Sequence, residues 1–361
     1  MKIVQNLLKA VTYIMIVFSV VITSCSPKIA SNTKVEAAKV LFPKESDTAR
    51  IQYLRSYSSS SDIAAVQTAF NASIVGKEIV SNIEKPYGVS IRNGKIYICD
   101  LGNNTIKIID LENKSFKEFT PKLKKGVAVS INNFVDEDGS LYLANPRQGV
   151  VSVYDSKNEY LTEFGGDIIK NPIDLVVQNN KIYVADLGNN RVNIFNKATK
   201  EFEGYFPESV EGNSDYLYSP TAISISDDRI YVTDTGDFTV KIYSLEGKHI
   251  MNIGGIGANM GQFSRPKGLA ADKEDNVYVL DAAFENAQIF NKEGKLLMFF
   301  GGAYNGPGDM YLPVQITIDY ENTKYFENLV DKRYNLKYLI IVSNQFGPEK
   351  ISVYGRIELM K

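Results

Sequence analysis

The stretch IYVADLGNNRV, residues 182–192, is written a second time as IYICDLGNNTI at residues 96–106. A phrase recurs either because one site needs it twice or because one structural unit repeats. Aligning the chain on it decides for the unit. Segments that open on a proline, cross a polar turn and close on a second apolar run ending in Asp recur four times. They are PYGVSIRNGKIYICD (86–100), PIDLVVQNNKIYVAD (172–186), PTAISISDDRIYVTD (220–234) and PKGLAADKEDNVYVLD (266–281). Two looser copies complete the series: KGVAVSINNFVDEDGSLYLAN (125–145), and a segment that opens PVQITIDY (313–320) and closes LIIVSN (339–344).

The closing residues Asp100, Asn145, Asp186, Asp234, Asp281 and Asn344 are separated by 45, 41, 48, 47 and 63 positions, the last interval being stretched by an insertion at 319–337. A repeat in the forties, filled by four short strands with no room for a helix, is the signature of a propeller blade. Within one unit GVSI, KIYICD, TIKIID and SFKEF read as strands, parted by the turns RNG, LGNN and LENK. Apolar residues alternate or cluster between Asn, Gly and Asp, the residues of tight hairpins. The expected fold is all-β, a six-bladed β-propeller of four-stranded blades with short helical insertions. The sixth unit lacks a fourth strand, so Ile51–Tyr57 is expected to pair there and close the ring, leaving no free edge.

The recurring letters read as structural. Asp186 ends a strand, where its carboxylate can accept backbone N–H groups of the LGNN turn, while Gly188 and the Asn residues tolerate positive φ. Arg191 is expected to pair back onto Asp186. Tyr97, Tyr142, Tyr183, Tyr231 and Tyr278 stand three places before the closing residue, a position that reads as packing between blades. The six closing residues do not form one metal site, because equivalent positions spread round a ring cannot converge on an ion that needs oxygens at about 2.4 Å.

The pattern of these units, with GGIGANMGQFSRPKG (254–268) as a linking loop, resembles the NHL repeat of six-bladed β-propellers over residues 85–355. The second unit departs from it in lacking the proline and carrying NPRQG at its turn, and the last ends SNQFGPEKISVYG. That ending and the entry RIQYLRSY look like a bacterial lipoprotein branch of such propellers.

The first residues fit that branch. Lys2 and Lys9 precede an apolar run and then ITSC, which resembles a lipobox whose Cys25 is acylated. The run falls short of the roughly 20 residues of a spanning helix. Residues 1–24 are read as a lipoprotein signal peptide, 25–49 as a tether and 50–361 as the propeller. The expected location is the periplasmic or cell-surface side of a membrane, the outer membrane if the cell has one. Removing Lys2 and Lys9 takes the formal charge from −2 to −4, which disfavours a nucleic-acid partner. Cys99, without a disulfide partner once Cys25 is acylated, reads as a small buried thiol.

Two segments depart from the repeat. In residues 58–84, DIAAVQTAF reads as a short helix capped by Asp62. In residues 319–337, Tyr325, Phe326, Leu329 and Lys332 have helical spacing with Asn322 as cap. That helix either covers the rim or docks a partner through Tyr325, Phe326 and Leu329.

No GxSxG, HExxH or CxxCH motif is present, and His249, the single histidine, falls in an outer strand. Lactonase-like propellers, which this chain resembles in shape, hold calcium in the central channel through acidic and amide residues at the starts of inner strands. The matching positions here include one acid, Asp174, and a cation, Lys267. Tyr87, Asp174, Lys267 and Gln315 are the candidate channel-mouth residues for a small ligand. The reading assigns no metal, no cofactor and no catalytic residue. Its leading function is a lipid-anchored, monomeric scaffold that binds an envelope protein or glycan, and its alternative a calcium-dependent lactonase or hydrolase working in the channel.

Overall fold

The computed structural model describes residues 39–44, 48–63 and 80–360. Five consecutive four-stranded antiparallel sheets form blades I to V. Their inner strands are Pro86–Arg92, Asn132–Val135, Pro172–Gln178, Pro220–Ser226 and Pro266–Ala271. Blade VI begins with Pro313–Asp319, Tyr334–Asn344 and Ile351–Leu359. Ile51–Tyr57 lies beside Ile351–Leu359 as the fourth strand, and Leu41–Phe42 adds a short fifth outside it. The inner strands touch in the order I to VI and back to I, which closes the ring. The strand expected to close it, Ile51–Tyr57, does so antiparallel, with Ile51 opposite Arg356 and Tyr57 opposite Ile351.

Local chemistry explains the hairpins. At the turn of blade III Asn179 and Asn180 both take positive φ, 50° and 61°, the left-handed pair that matches the twist of two-residue hairpins and that Asn tolerates. The strands on either side are rich in Ile, Val and Tyr, which suit a pleated surface buried on both faces.

The blades are glued by six apolar seams. Tyr97 packs with Val135 and Leu141 of blade II, Tyr142 with Leu175 and Val177 of blade III, and Tyr183 with Ile223 and Ile230 of blade IV. Tyr231 and Tyr278 repeat the contact toward blades V and VI. At the closing seam Ile341 takes the tyrosine's place against Val89, Ile91 and Ile98 of blade I. Each fully buried side chain of this size contributes about 1.5–3 kcal/mol, so the seams hold the ring.

The closing carboxylates do more than the turn reading foresaw. Asp186 accepts the Gly188 N–H at 3.1 Å, as expected, but also the N–H groups of Lys170 and Asn171 at 3.1 and 2.9 Å, in the linker that enters the same blade. Asp100 does the same for Glu84 and Lys85, Asp234 for Tyr218 and Ser219, and Asp281 for Ser264 and Arg265. Each of the four aspartates thus staples the entering linker to the second strand. Arg191 does not pair back onto Asp186. Its guanidinium lies 4.2 Å from the Tyr205 ring centroid, and the amides of Asn189 and Asn193 bond the carboxylate instead, at 2.6 and 3.0 Å.

The two departures from the repeat contain no α-helix among the described residues. Thr323–Tyr325 and Glu327–Leu329 are single 3-10 turns, and the Asn322 side chain caps neither of them. Its amide bonds Asp319 and accepts the Gly94 N–H of blade I at 2.8 Å. Spacing of three to four residues fits a 3-10 turn as well as an α-helix. Asp62 is the last residue of the 3-10 turn Ser60–Asp62, and its carboxylate reaches back to the N–H groups of Ser58 and Ser59. Residues 64–79 lie outside the described residues.

Candidate functional site

Just after the inner-strand proline, the pairing with the second strand shifts register in blades I, III, IV, V and VI. Such bulges bend a strand and re-aim the side chain that follows. In each blade one residue at this level occupies the same layer: Gly88, Asn132, Asp174, Ala222, Gly268 and Gln315. Three are polar and three are small. A Cβ on Gly88 would lie 2.3 Å from Asn132 Oδ1, and one on Gly268 2.5 Å from Gln315 Oε1. The long side chains therefore lie sideways over their neighbours' glycines.

Inner strands present an unpaired backbone edge to the channel, and this layer satisfies it. Asp174 Oδ1 accepts the Leu175 N–H at 2.9 Å, and Oδ2 accepts the Ile223 N–H of blade IV at 3.0 Å. Asn132 Oδ1 accepts the Asn133 N–H and Gln315 Oε1 the Ile316 N–H, at 3.0 and 3.2 Å. Gln315 Nε2 then donates to Asp174 Oδ2 at 3.3 Å, joining blade VI to blade III, opposite it in the ring. The bridge is the floor of a cavity of about 200 Å3 that opens toward the inner hairpin turns and is walled by Ser90, Phe134, Val176, Ser224 and Thr317. Burial pushes the Asp174 carboxyl up to about 7, against the pull of its N–H donors.

On the proline side, Tyr87 and Lys267 sit one residue earlier than this layer. Burial pushes the Tyr87 hydroxyl up to about 12, with the Asp174 charge adding to the shift and Arg265 opposing it. Burial and then the Arg265 guanidinium hold the Lys267 ammonium below the usual lysine range. The structure thus joins Asp174 to Gln315 directly, while Tyr87 and Lys267 stand one residue nearer the proline end of their strands. Sequence reasoning passed over Arg265 and Asn132. Arg265 stands immediately before an inner-strand proline, as Lys85 does in blade I, and reading that position in every unit would have found it.

The remaining candidates are separate. Phe326 is buried in the seam between blades VI and I, and Tyr325 and Leu329 pack against the same cluster. The Tyr325 hydroxyl bonds Glu112 of blade I, and the Leu329 carbonyl accepts from Gln52 at 2.9 Å and Lys39 at 3.1 Å. Cys25 lies outside the described residues. Cys99 is fully buried, its thiol pushed up to about 12 by burial. His249 bonds Asn252 at 2.7 Å on an outer strand. Among the described residues no three His, Cys, Asp or Glu side chains group as metal ligands would.

No protein-family model matches the sequence, and no curated protein matches it. Solved structures do. The virginiamycin B lyase of Staphylococcus aureus, determined as a catalytically inactive histidine variant with quinupristin, is 14% identical with a TM-score of 0.53, over 76% of this chain and 95% of that one. A gluconolactonase of Xanthomonas campestris is 12% identical at a TM-score of 0.53, over 75% and 86%. A Bacteroides thetaiotaomicron protein of unknown function is 14% identical at a TM-score of 0.58, over 86% and 76%. At these identities the likeness establishes the six-bladed propeller fold and nothing finer.

Proposed function

We propose that this chain is an NHL-type propeller of the bacterial lipoprotein branch, anchored through Cys25 outside the cytoplasm, and that it binds an envelope protein or glycan without chemistry of its own. The observation that carries the reading is the Asp174–Gln315 bond across the channel axis. The layer whose oxygens a channel enzyme would spend on a cation or substrate spends them here on backbone N–H groups. A lyase like the Staphylococcus neighbour, inactivated by loss of a histidine, would need an imidazole, and His249 is held on the outer rim. The repeated letters serve turns and seams, which leaves recognition to the parts of the rim that differ between blades.

The calcium-dependent reading keeps one specific support, since Asn132, Asp174 and Gln315 are an acid and two amides at the starts of inner strands.

Fractionation of cells producing the full chain and its Cys25→Ser variant, followed by copurification from the solubilised membranes, tests the proposal. The expected result is a membrane-bound wild type, a released variant, and a partner recovered with the wild type. Wild type in the soluble fraction would overturn the anchored reading.

A further inference from the structure

We infer that a cavity between the inner hairpin of blade V and the outer strands of blade VI binds a phosphate group, as the free ion or a monoester, through Arg50 and Arg356. The site lies apart from the channel layer, and the inference goes beyond the anchored scaffold reading.

The cavity holds about 360 Å3 and is lined by Arg50, Glu274, Lys337, Tyr338 and the run from Arg356 to Leu359. That volume falls among those of small-molecule sites. Strand pairing builds it. Arg356 stands opposite Ile51 on one side and Tyr338 on the other, so its side chain is set beside the chain that enters the closing strand. Arg356 Nη1 donates to the Arg50 carbonyl at 3.1 Å and to the Ile357 carbonyl at 3.2 Å. Arg50 Nη1 donates to the carbonyls of Thr48 and Ala49 at 3.0 and 3.1 Å.

Each guanidinium therefore spends one nitrogen on the protein. Among the described residues neither joins an ion pair, and the Nε and Nη2 edge of each, the fork that grips an oxyanion, is unspent. The other large cavity shows the contrast. It holds about 500 Å3 between blades II and III, and there Arg92 pairs with Glu137 and Glu321 at 3.6 and 3.2 Å, and Lys197 pairs with Asp136.

The acids near the two arginines leave them a surplus of positive charge. Glu358 is paired with Lys337 at 2.9 Å. Asp272, behind the Tyr338 hydroxyl, already accepts that hydroxyl, the N–H groups of Glu274 and Asn276 and the Asn276 amide, each at 2.8 or 2.9 Å. Glu274 alone then faces two guanidinium groups. A carboxylate has two oxygens and is filled by one fork, whereas a phosphate monoester carries three strong acceptors and nearly two charges, enough for both forks. An ammonium on the ester would use Glu274.

Calorimetric titration of the detergent-solubilised full chain with inorganic phosphate, phosphoethanolamine, dimethyl phosphate and acetate tests the inference. Saturable binding of the first two is expected, with dimethyl phosphate and acetate at least about tenfold weaker. Arg50→Gln and Arg356→Gln should each weaken phosphate about tenfold, the factor expected for one lost charge-assisted contact. Lys117→Gln, on the outer strand of blade I, should leave it unchanged, and Glu274→Gln should tighten inorganic phosphate. A preference for phosphoethanolamine that Glu274→Gln removes assigns an amine-bearing monoester; inorganic phosphate bound at least as tightly assigns the free ion. Melting curves without ligand show that the variants fold, and Arg50→Gln, whose side chain bonds only its own neighbours, keeps the test open if Arg356→Gln does not. No saturable phosphate binding, acetate bound equally well, or binding indifferent to the arginine substitutions overturns the inference.

Discussion

Lys241 Nζ lies 3.2 Å from Asp234 Oδ2, and solvent reaches neither side chain. The lysine stands seven residues after the blade IV anchor and reaches back across the hairpin. The same step pairs Asp100 with Lys107 at 3.7 Å in blade I, Asp186 with Asn193 in blade III and Asn145 with Ser152 in blade II, and a step one residue longer pairs Asn344 with Ser352 in blade VI. A charged anchor takes a cation or an amide, and a neutral anchor takes a hydroxyl. The chain therefore carries its own neutral version of the charged pair.

Removing one partner of a buried ion pair strands the other charge and costs about 3–5 kcal/mol. Lys241→Met should lose that much in urea denaturation. The double variant Asp234→Asn, Lys241→Ser, which copies blade II, should recover most of it.

Asp174 gives stability a pH dependence of unusual sign. Its carboxyl rises from 3.8 to about 7 on folding because of burial. Between those values the folded state holds a proton that the unfolded chain has released, so stability falls as pH rises through that window. Asp174→Asn should flatten this decline across pH 4 to 7 in thermal melts, at a constant offset for the Ile223 N–H it leaves without its acceptor. An unchanged slope in the variant would show that Asp174 does not titrate there.

The 319–337 segment acts first as a cover on the closing seam. Phe326 is 1% exposed, and Phe326→Ala should cost about 3–5 kcal/mol. Tyr325→Phe, which loses only an exposed bond to Glu112, should stay within about 0.5 kcal/mol in the same denaturation series.

Gly88→Ala should destabilise by about 1–3 kcal/mol through overpacking of the inner ring. The new Cβ would meet Asn132 Oδ1 at 2.3 Å and Asn132 Cα at 2.5 Å. Because the second contact is backbone, adding Asn132→Ala should not rescue it, and melting temperatures of the single and double variants check this.

The architecture was legible because it is written locally. Anchor spacing, hairpin letters and the tyrosine three places before five of the six anchors are each readable unit by unit, and those tyrosines reappear in the seams. Even ring closure by Ile51–Tyr57 followed from a missing strand. The linker contacts of the anchors were less visible, since Asp186 bonds backbone N–H groups that any residue type supplies. The bond between Asp174 and Gln315 joins residues 141 positions apart and depends on bulges that no periodicity reports. Phe326 was read on a helix, whereas it joins the two 3-10 turns, and a spacing shared by two helix types could not say which way its ring turns.

The central claim is that the channel layer is spent on the fold. Calcium titration of the full chain and its Asp174→Asn variant tests this most directly. The account predicts no saturable calcium binding by either protein; one tightly held calcium per chain, lost in the variant, would contradict it.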